Sequence, residues 1–353
     1  MNKRTIGYVG LDHHHAEPYL QTLAGLPATV TSACEPNPEF DPSTVSSLGD
    51  VPVYDDLESL LAATSIDAVF LTLPNRDTPA AIEQALDAGI DVYTEKPAAR
   101  TAAELEPLLA RAAESDATVG VSYPWQSHPI ARELVSLVDD GFFGDLRSFD
   151  ARFIASRLAY RKTDHFIFDK AASRGGIIQW LGIHWIQLLT RLLEEPIHRV
   201  NASTVAGTDG VDVEDGATLQ FETAGGALGT LQCGYYLGED LYDTKLDIYG
   251  SDGRSSWDPM GREFGFDGTT TLELDDTSGE WDSTPHRTIT HDYDPEPGYG
   301  GAWGRSFVDA FFAACDSERD PPVTLEDALA VLRILDAAYE SAETDEWVNV
   351  ATT

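Results

Sequence analysis

The chain of 353 residues predicts an α/β protein of two domains. A doubly wound parallel sheet of the Rossmann type is expected over residues 1–123. A second α/β domain, built on a large, mainly antiparallel open sheet, is expected over residues 124–353. Three observations carry this. At about 150 residues per domain the length allows two cores. The first third alternates short apolar runs with helical stretches, the pattern of repeated β-α units. Beyond Tyr123 strand-like runs follow one another with few helices between them.

Taken in order, Thr5–Val9 is an apolar run that ends at Gly10 and leads into a helix through Leu23. Ala28–Cys34 is the second strand. Ala68–Leu73 is nearly continuous in apolar residues, as in a parallel strand covered on both faces. The next helix has Thr78 as N-cap, Pro79 in its first turn, Ile82, Ala85 and Leu86 as its buried stripe and Gly89 as its terminator. Asp91–Thr94 is a strand. Thr101-Ala102-Ala103-Glu104 is a capping box that opens a helix to about Ala113, and Thr118–Ser122 closes the series. In the second domain a helix over Ile130–Asp139 precedes strands Arg147–Ile154, Ala217–Glu222, Ala227–Cys233 and Lys245–Tyr249. Ser251-Asp252-Gly253 is a hairpin turn signal. The acidic, Gly-rich stretch Asp252–Pro297 is expected to hold long loops. Two helices finish the chain, one over Trp303–Cys315 and one opened by Thr324 and Asp327, with Leu325, Ala328, Leu329, Leu332 and Leu335 on one face.

The charge is unusual. Sixty Asp and Glu oppose 23 Lys and Arg, a formal net charge of −37, and only five of the basic residues are lysines (Lys3, Lys96, Lys162, Lys170 and Lys245). Such an excess destabilises a compact chain by self-repulsion, but molar salt shortens the Debye length to about 3 Å. A carboxylate-coated, lysine-poor surface therefore reads as a halophilic protein. With no basic stripe, nucleic acid is excluded as a partner. Three scattered cysteines fit a reducing compartment rather than a disulfide framework. No apolar run is long enough to span a bilayer, and Met-Asn-Lys-Arg runs straight into a strand without a signal-peptide core, so a cytoplasmic location is expected.

The first β-α turn reads Gly10-Leu11-Asp12-His13-His14-His15-Ala16, where a dinucleotide site has three glycines. Only Gly10 keeps the pattern. The Asp12 charge would oppose a diphosphate by about 3 kcal/mol at 5 Å with an effective dielectric of 20, or Asp12 caps the following helix. The three histidines, starting a helix, are expected to point in different directions. No cysteine or close carboxylate pair completes a tetrahedral set, so no metal is assigned, and one or two of them are expected to line a cofactor cleft. Glu35 ends the second strand. An acid there accepts hydrogen bonds from both ribose hydroxyls and repels a 2′-phosphate, which favours NAD(H) over NADP(H).

Thr94-Glu95-Lys96-Pro97 sits at a strand end, where ligands of open α/β sheets bind. With Leu73-Pro74-Asn75 and Ala88-Gly89-Ile90-Asp91-Val92-Tyr93 it resembles the signature of the glucose–fructose oxidoreductase/inositol dehydrogenase (Gfo/Idh/MocA) family. Arg174-Gly175-Gly176-Ile177-Ile178-Gln179-Trp180-Leu181-Gly182-Ile183-His184 is similar to that family's active-site helix, and Asp336-Ala337-Ala338-Tyr339-Glu340-Ser341 to its closing helix. The resemblance implies an NAD-dependent oxidoreductase that moves hydride to or from a carbinol carbon of a sugar, polyol or related polar substrate. It implies that Gly10, Asp12, His13, His14, Glu35, Pro74, Asn75, Glu95, Lys96 and Pro97 bind the cofactor and that Lys96 and His184 are catalytic. A homo-oligomer assembled through the open sheet is a further implication. Tyr123, Trp125, Arg161, His165 and Trp180 are the remaining substrate candidates.

Two positions depart from the family. Trp180 stands one helical turn before His184, where many members have an Asp facing the substrate with the histidine. Gln187 stands where an Asp is frequent. A non-catalytic sensor of nucleotide or sugar, and an NAD-dependent redox-assisted lyase or glycosidase, are the rival readings.

Overall fold

The computed structural model describes residues 3–193, 195–260, 269–279, 284–293, 296–317 and 319–352. The chain separates into two compact units, Met1–Ser127 with Pro295–Leu329, and His128–Asp294 with Ala330–Thr353. The first thus includes a C-terminal segment that a division at residue 123 leaves out.

The first unit holds β1 (Arg4–Val9), α1 (Ala16–Ala24), β2 (Ala28–Cys34), β3 (Val53–Tyr54), α2 (Leu57–Ala63), β4 (Ala68–Leu71), α3 (Thr78–Asp87), β5 (Asp91–Glu95), α4 (Ala102–Ala113) and β6 (Val119–Ser122). Its sheet has the order β3-β2-β1-β4-β5-β6 with every pair parallel, so the order reverses between β1 and β4. Ligands of such sheets bind beyond the carboxyl ends of the strands at that reversal. Gly10 follows β1 there with φ +91°, and a Cβ on it would lie 2.5 Å from the Thr72 carbonyl oxygen beyond β4. Both the left-handed backbone and the close approach require glycine.

Two helix starts differ from expectation. The N-cap of α3 is Asp77, and the Thr78 hydroxyl instead donates to the Pro74 carbonyl at 3.1 Å. Helix α1 begins only at Ala16, so residues 11–15 form the turn. Asp12 does not cap it, because His15 occupies the N-cap position. Of the expected capping box one half forms: Thr101 caps α4 by accepting the Glu104 N–H at 3.3 Å, while the Glu104 carboxylate accepts the Arg100 N–H at 3.0 Å instead of that of Thr101.

The second unit carries α5 (Pro129–Asp139), β7 (Leu146–Ser156), α6 (Lys170–Ser173), a π-helical turn (Ile178–Gly182), α7 (Ile183–Leu192), β8 (Ile197–Val205), β9 (Gly216–Thr223), β10 (Leu228–Leu237), β11 (Asp243–Gly250), β12 (Gly253–Trp257), β13 (Thr269–Asp276) and β14 (His286–Asp292). The helix α8 (Gly301–Cys315) falls in the first unit. Next come α9 (Leu325–Thr344) and β15 (Val348–Asn349). The nine strands run β14-β13-β12-β11-β7-β10-β9-β8-β15, antiparallel at every pairing except β7 with β10. The mainly antiparallel sheet is therefore as expected.

The expectation of long loops over 252–297 is corrected by three strands, β12, β13 and β14; residues 261–268, 280–283, 294 and 295 lie outside the described set. Strand β13 alternates apolar Leu272 and Leu274 with polar neighbours, but β14 alternates exposed with half-buried residues and carries almost no apolar signal. The Ser251–Asp252 turn between β11 and β12 forms as predicted. Against the sheet, α7 is buried nearly all round; Trp185 is fully buried, with its indole N–H donating to the Arg152 carbonyl at 2.8 Å. Among the described residues no helix is long and apolar enough to cross a membrane.

Gly10→Ala is expected to destabilise the protein by about 2–4 kcal/mol, combining left-handed strain with collision against fixed backbone. Urea unfolding measures this; a loss under about 0.5 kcal/mol would show that the turn tolerates a side chain.

Candidate active site

In the first unit, the predicted residues gather at the reversal point around two buried acids. Glu35 ends β2. Its carboxylate accepts the Asp12 N–H at 2.8 Å and the Asn37 N–H at 2.7 Å, while the Asn37 amide donates to the Asp12 carboxylate at 2.9 Å. Burial raises the Glu35 pKa, and the Asp12 charge adds to this, against the backbone donors that hold the ionised form. Asp12 is thus turned towards Asn37 and ties the turn to the end of β2.

Glu95, the last residue of β5, is the second acid. It is 4% exposed, and its oxygens meet His15 Nδ1 at 2.6 Å, the Tyr19 hydroxyl at 3.1 Å and the Lys96 N–H at 2.9 Å. Burial opposes its charge, yet Lys96 and the His15 hydrogen bond outweigh burial and hold its pKa below the ordinary range. Lys96 is 2% exposed; burial lowers its pKa, and Glu95 only partly restores it. The Lys96–Pro97 peptide is cis. Tyr299 packs on both His15 and Tyr19, with ring centres 4.2 and 4.9 Å away.

The three histidines converge, contrary to the expectation that they diverge. Their ring centres are 4.0–5.0 Å apart, because His13 Nδ1 accepts the His15 N–H at 3.0 Å and folds the turn back on itself. This bond places the proton of neutral His13 on Nε2. Pro74 and the buried Asn75 follow β4, and the buried Tyr123 and Trp125 follow β6.

In the second unit the glycine-led segment is gripped by an acid the sequence reading missed. Glu214 accepts the Gly176 N–H at 2.8 Å, the Ile178 N–H at 3.1 Å and the Tyr339 hydroxyl at 2.9 Å. A Cβ on Gly176 would lie 2.0 Å from the Glu214 carbonyl oxygen, so the approach needs glycine. Burial raises the Glu214 pKa despite these donors. Arg174 pairs with Asp336 and lies over the Tyr339 ring at 4.6 Å. Trp180 lies in the π-helical turn, and His184 follows it in α7; each is 4% exposed. The one-turn spacing of these two holds for an α-helix, whereas Trp180 lies in a wider turn, a form frequent at functional sites. The rings of His165 and Phe166 have centres 4.2 Å apart, Phe166 meets Trp180 edge-on with ring centres 6.4 Å apart, and the Arg161 guanidinium lies 5.0 Å from the Tyr235 ring centre.

The depressed pKa of His15 has a consequence for stability. Its ordinary value is 6.5, and burial lowers it in the folded chain, so the unfolded chain binds the proton first. Stability should fall as pH drops below about 6.5, with Glu95 adding a loss below about 4.5. The expected result is that His15→Gln flattens the decline of unfolding free energy between pH 7.5 and 5.5. An unchanged slope would contradict the assignment.

Residues 5–123 match the oxidoreductase family with an NAD-binding Rossmann fold, and residues 131–256 match the GFO/IDH/MocA C-terminal domain. Among curated relatives, the D-xylose 1-dehydrogenase (NADP(+)) 2 of Haloferax volcanii is 29% identical over 86% of each chain. The levoglucosan dehydrogenase of Pseudarthrobacter phenanthrenivorans is 24% identical over 90% of this chain and 88% of its own. Among solved structures, a levoglucosan dehydrogenase in complex with NADH and levoglucosan superposes with a TM-score of 0.84 at 20% identity, covering 99% of this chain and all of the other. An oxidoreductase domain protein from Kribbella flavida gives 0.85 at 21% identity over the whole of both chains. With both family domains matched in order, and the Glu95-Lys96-Pro97 and Gly175-Gly176 motifs at the strand end and helix start described above, the chain belongs to the GFO/IDH/MocA oxidoreductase family.

Proposed function

We propose that the protein is a sugar dehydrogenase working with NAD(H), with Lys96 and His184 as its proton-handling residues. The observation that carries this is Lys96, a lysine buried at the carboxyl end of β5, the strand beside β4, its pKa lowered by burial. A lysine so tuned accepts a proton at lower pH than an exposed one. Relatives named D-xylose, levoglucosan and D-apiose dehydrogenase support a sugar as substrate.

The residues present fit a nicotinamide dinucleotide. The left-handed Gly10 brings backbone close beyond β1, and Glu35 offers a carboxylate at the end of β2. Gly10, Asp12, His13 and His14 would hold the diphosphate side, Glu35 the ribose, and Pro74, Asn75, Glu95, Lys96 and Pro97 the nicotinamide side. When bound, the group supplies the hydride acceptor or donor. Lys96 takes the proton of the carbinol oxygen during oxidation and returns it during reduction. Glu95 keeps Lys96 in place through the backbone N–H and supplies the opposing charge. His184 is the second proton carrier, and Trp180 offers an aromatic face of the kind that stacks on a sugar ring. The acidic, lysine-poor composition supports a cytoplasm of high salt as its setting. A homo-oligomer is the expected solution state, and light scattering reads its mass.

Two outcomes are expected. In a fluorescence titration in molar KCl, NADH should bind at least about tenfold more tightly than NADPH, since Glu35 repels a 2′-phosphate, and Glu35→Ser should narrow the gap. Tighter NADPH binding would instead align the chain with its NADP(+)-named relative. In steady-state assays with a sugar panel, Lys96→Ala and His184→Ala should each lower kcat by about 10²–10⁴; NADH binding should stay within a few-fold in His184→Ala and weaken in Lys96→Ala, which also loses a cofactor contact. The wild-type rate of oxidation should rise with pH through a midpoint below 10.5, the ordinary lysine value. NADH binding without turnover of any sugar would favour the sensor reading.

A further inference from the structure

Arg161 is a half-buried cation without a carboxylate partner among the described residues. Its guanidinium is half-buried and its partners are all neutral. Nε donates to the Ser156 carbonyl at 3.4 Å, and Nη2 to the Ser156 hydroxyl at 3.5 Å and the Tyr242 hydroxyl at 3.3 Å. Each bond is at the long end of the useful range. The flat face of the guanidinium lies over Tyr235, 5.0 Å from the ring centre. Among the described residues no carboxylate pairs with it, although acids outnumber bases by 60 to 23. Ten other arginines hold an Asp or Glu within 4.0 Å, and Arg132, Arg157, Arg191 and Arg319, which among the described residues hold none, are exposed to water. A partly desolvated cation that this acidic chain leaves without a counter-charge is complementary to an anion.

Its surroundings tie it to the active-site helix. Tyr235 is two residues from Cys233 on β10, and the Cys233 Sγ packs so closely on Gly182 of the π-helical turn that a Cβ there would lie 2.8 Å away. Phe168 meets Tyr235 edge-on, and Phe166, two residues before it, meets Trp180. The segment from Arg161 to Phe168 is thereby laid along the side of the element that carries Trp180 and leads to His184.

We propose that Arg161, backed by Tyr235 and Tyr242, is a subsite for a carboxylate, so that the preferred substrate is a sugar acid rather than a neutral sugar. The proposal rests on the dehydrogenase reading and goes beyond it, since the named sugar-dehydrogenase relatives point to neutral sugars. The planar guanidinium can offer two parallel N–H donors to a carboxylate, with the Tyr242 hydroxyl beside them. A neutral hydroxymethyl group gains no such charge-assisted pair.

The test compares D-glucuronate with D-glucose, which share ring stereochemistry and differ in carrying a carboxylate or a hydroxymethyl group. D-glucose 6-phosphate serves as the phosphate control. With the full chain, both NAD⁺ and NADP⁺, and several KCl concentrations, kcat/KM for glucuronate should exceed that for glucose by about tenfold or more, mainly through KM. The preference should shrink as salt rises. Arg161→Gln should bring the ratio close to one and Arg161→Lys should keep part of it, with circular dichroism confirming that each variant folds. Glucose turned over as well as glucuronate, with a ratio unmoved by Arg161→Gln, would overturn the subsite and leave the dehydrogenase reading standing. Preference for the phosphate would overturn the carboxylate assignment. If none of these sugars is turned over, the dehydrogenase reading loses support, and calorimetry tests the subsite by itself. Glucuronate binding weakened about tenfold by Arg161→Gln would sustain it, and no binding would end it.

Discussion

The Glu95 carboxylate is the constraint around which the first unit is arranged. A buried carboxylate is tolerated only when its charge is paired and its oxygens are hydrogen-bonded, and breaking one partner of such an arrangement is costly. Glu95 meets this requirement with groups from three places: His15 from the first turn, Tyr19 from α1 and the backbone N–H of Lys96. One acid therefore sets the position of a turn that has lost two of the usual glycines, the seat of α1 and the start of the segment carrying Lys96. Glu35 works in parallel at β2, accepting N–H groups from Asp12 and Asn37. The substitution of Asp12 for glycine is accommodated because its side chain turns to the Asn37 amide.

A similar device recurs in the second unit. Glu214 holds the N–H groups of Gly176 and Ile178 at the start of the segment that bears Trp180 and His184, and Tyr339 from α9 completes its coordination. The paired glycines exist because Tyr339 and the Glu214 backbone come too close for any side chain; a Cβ on Gly175 would lie 1.9 Å from the Tyr339 hydroxyl. In both units a buried acid fixes backbone next to a residue assigned to chemistry. The net charge of −37 and these two buried acids obey different physics: the surface excess is screened by salt, while the buried groups are screened far less.

Much of this was legible in the sequence. Gly10 after an apolar run, the Thr101 N-cap and the Glu95-Lys96-Pro97 strand end are local features, and local features survive folding. The family resemblance located Gly175 and Gly176 without explaining them. What escaped was non-local. Glu214 is one acid among sixty Asp and Glu, and only the fold brings it to Gly176. The histidine run was expected to diverge because helical geometry was assumed where the chain forms a turn. Spacing reveals neither the wide turn at Ile178–Gly182 nor the close packing of its Gly182 against Cys233. Strand β14 pairs with β13 although its own residues alternate little in polarity.

Burial beside Glu95 sets Lys96 apart from the other lysines, and the proposed proton transfer depends on it. Because the chain has only five lysines, growth on ¹³C-labelled lysine gives a spectrum simple enough to follow each ε-carbon by NMR as pH is raised. Lys96→Arg identifies the Lys96 signal by its loss. This signal is expected to titrate clearly below 10.5, while Lys245, paired with Asp247, titrates above it. If the Lys96 signal moved at or above the ordinary value, burial would not tune the group and its assigned role in proton transfer would be contradicted.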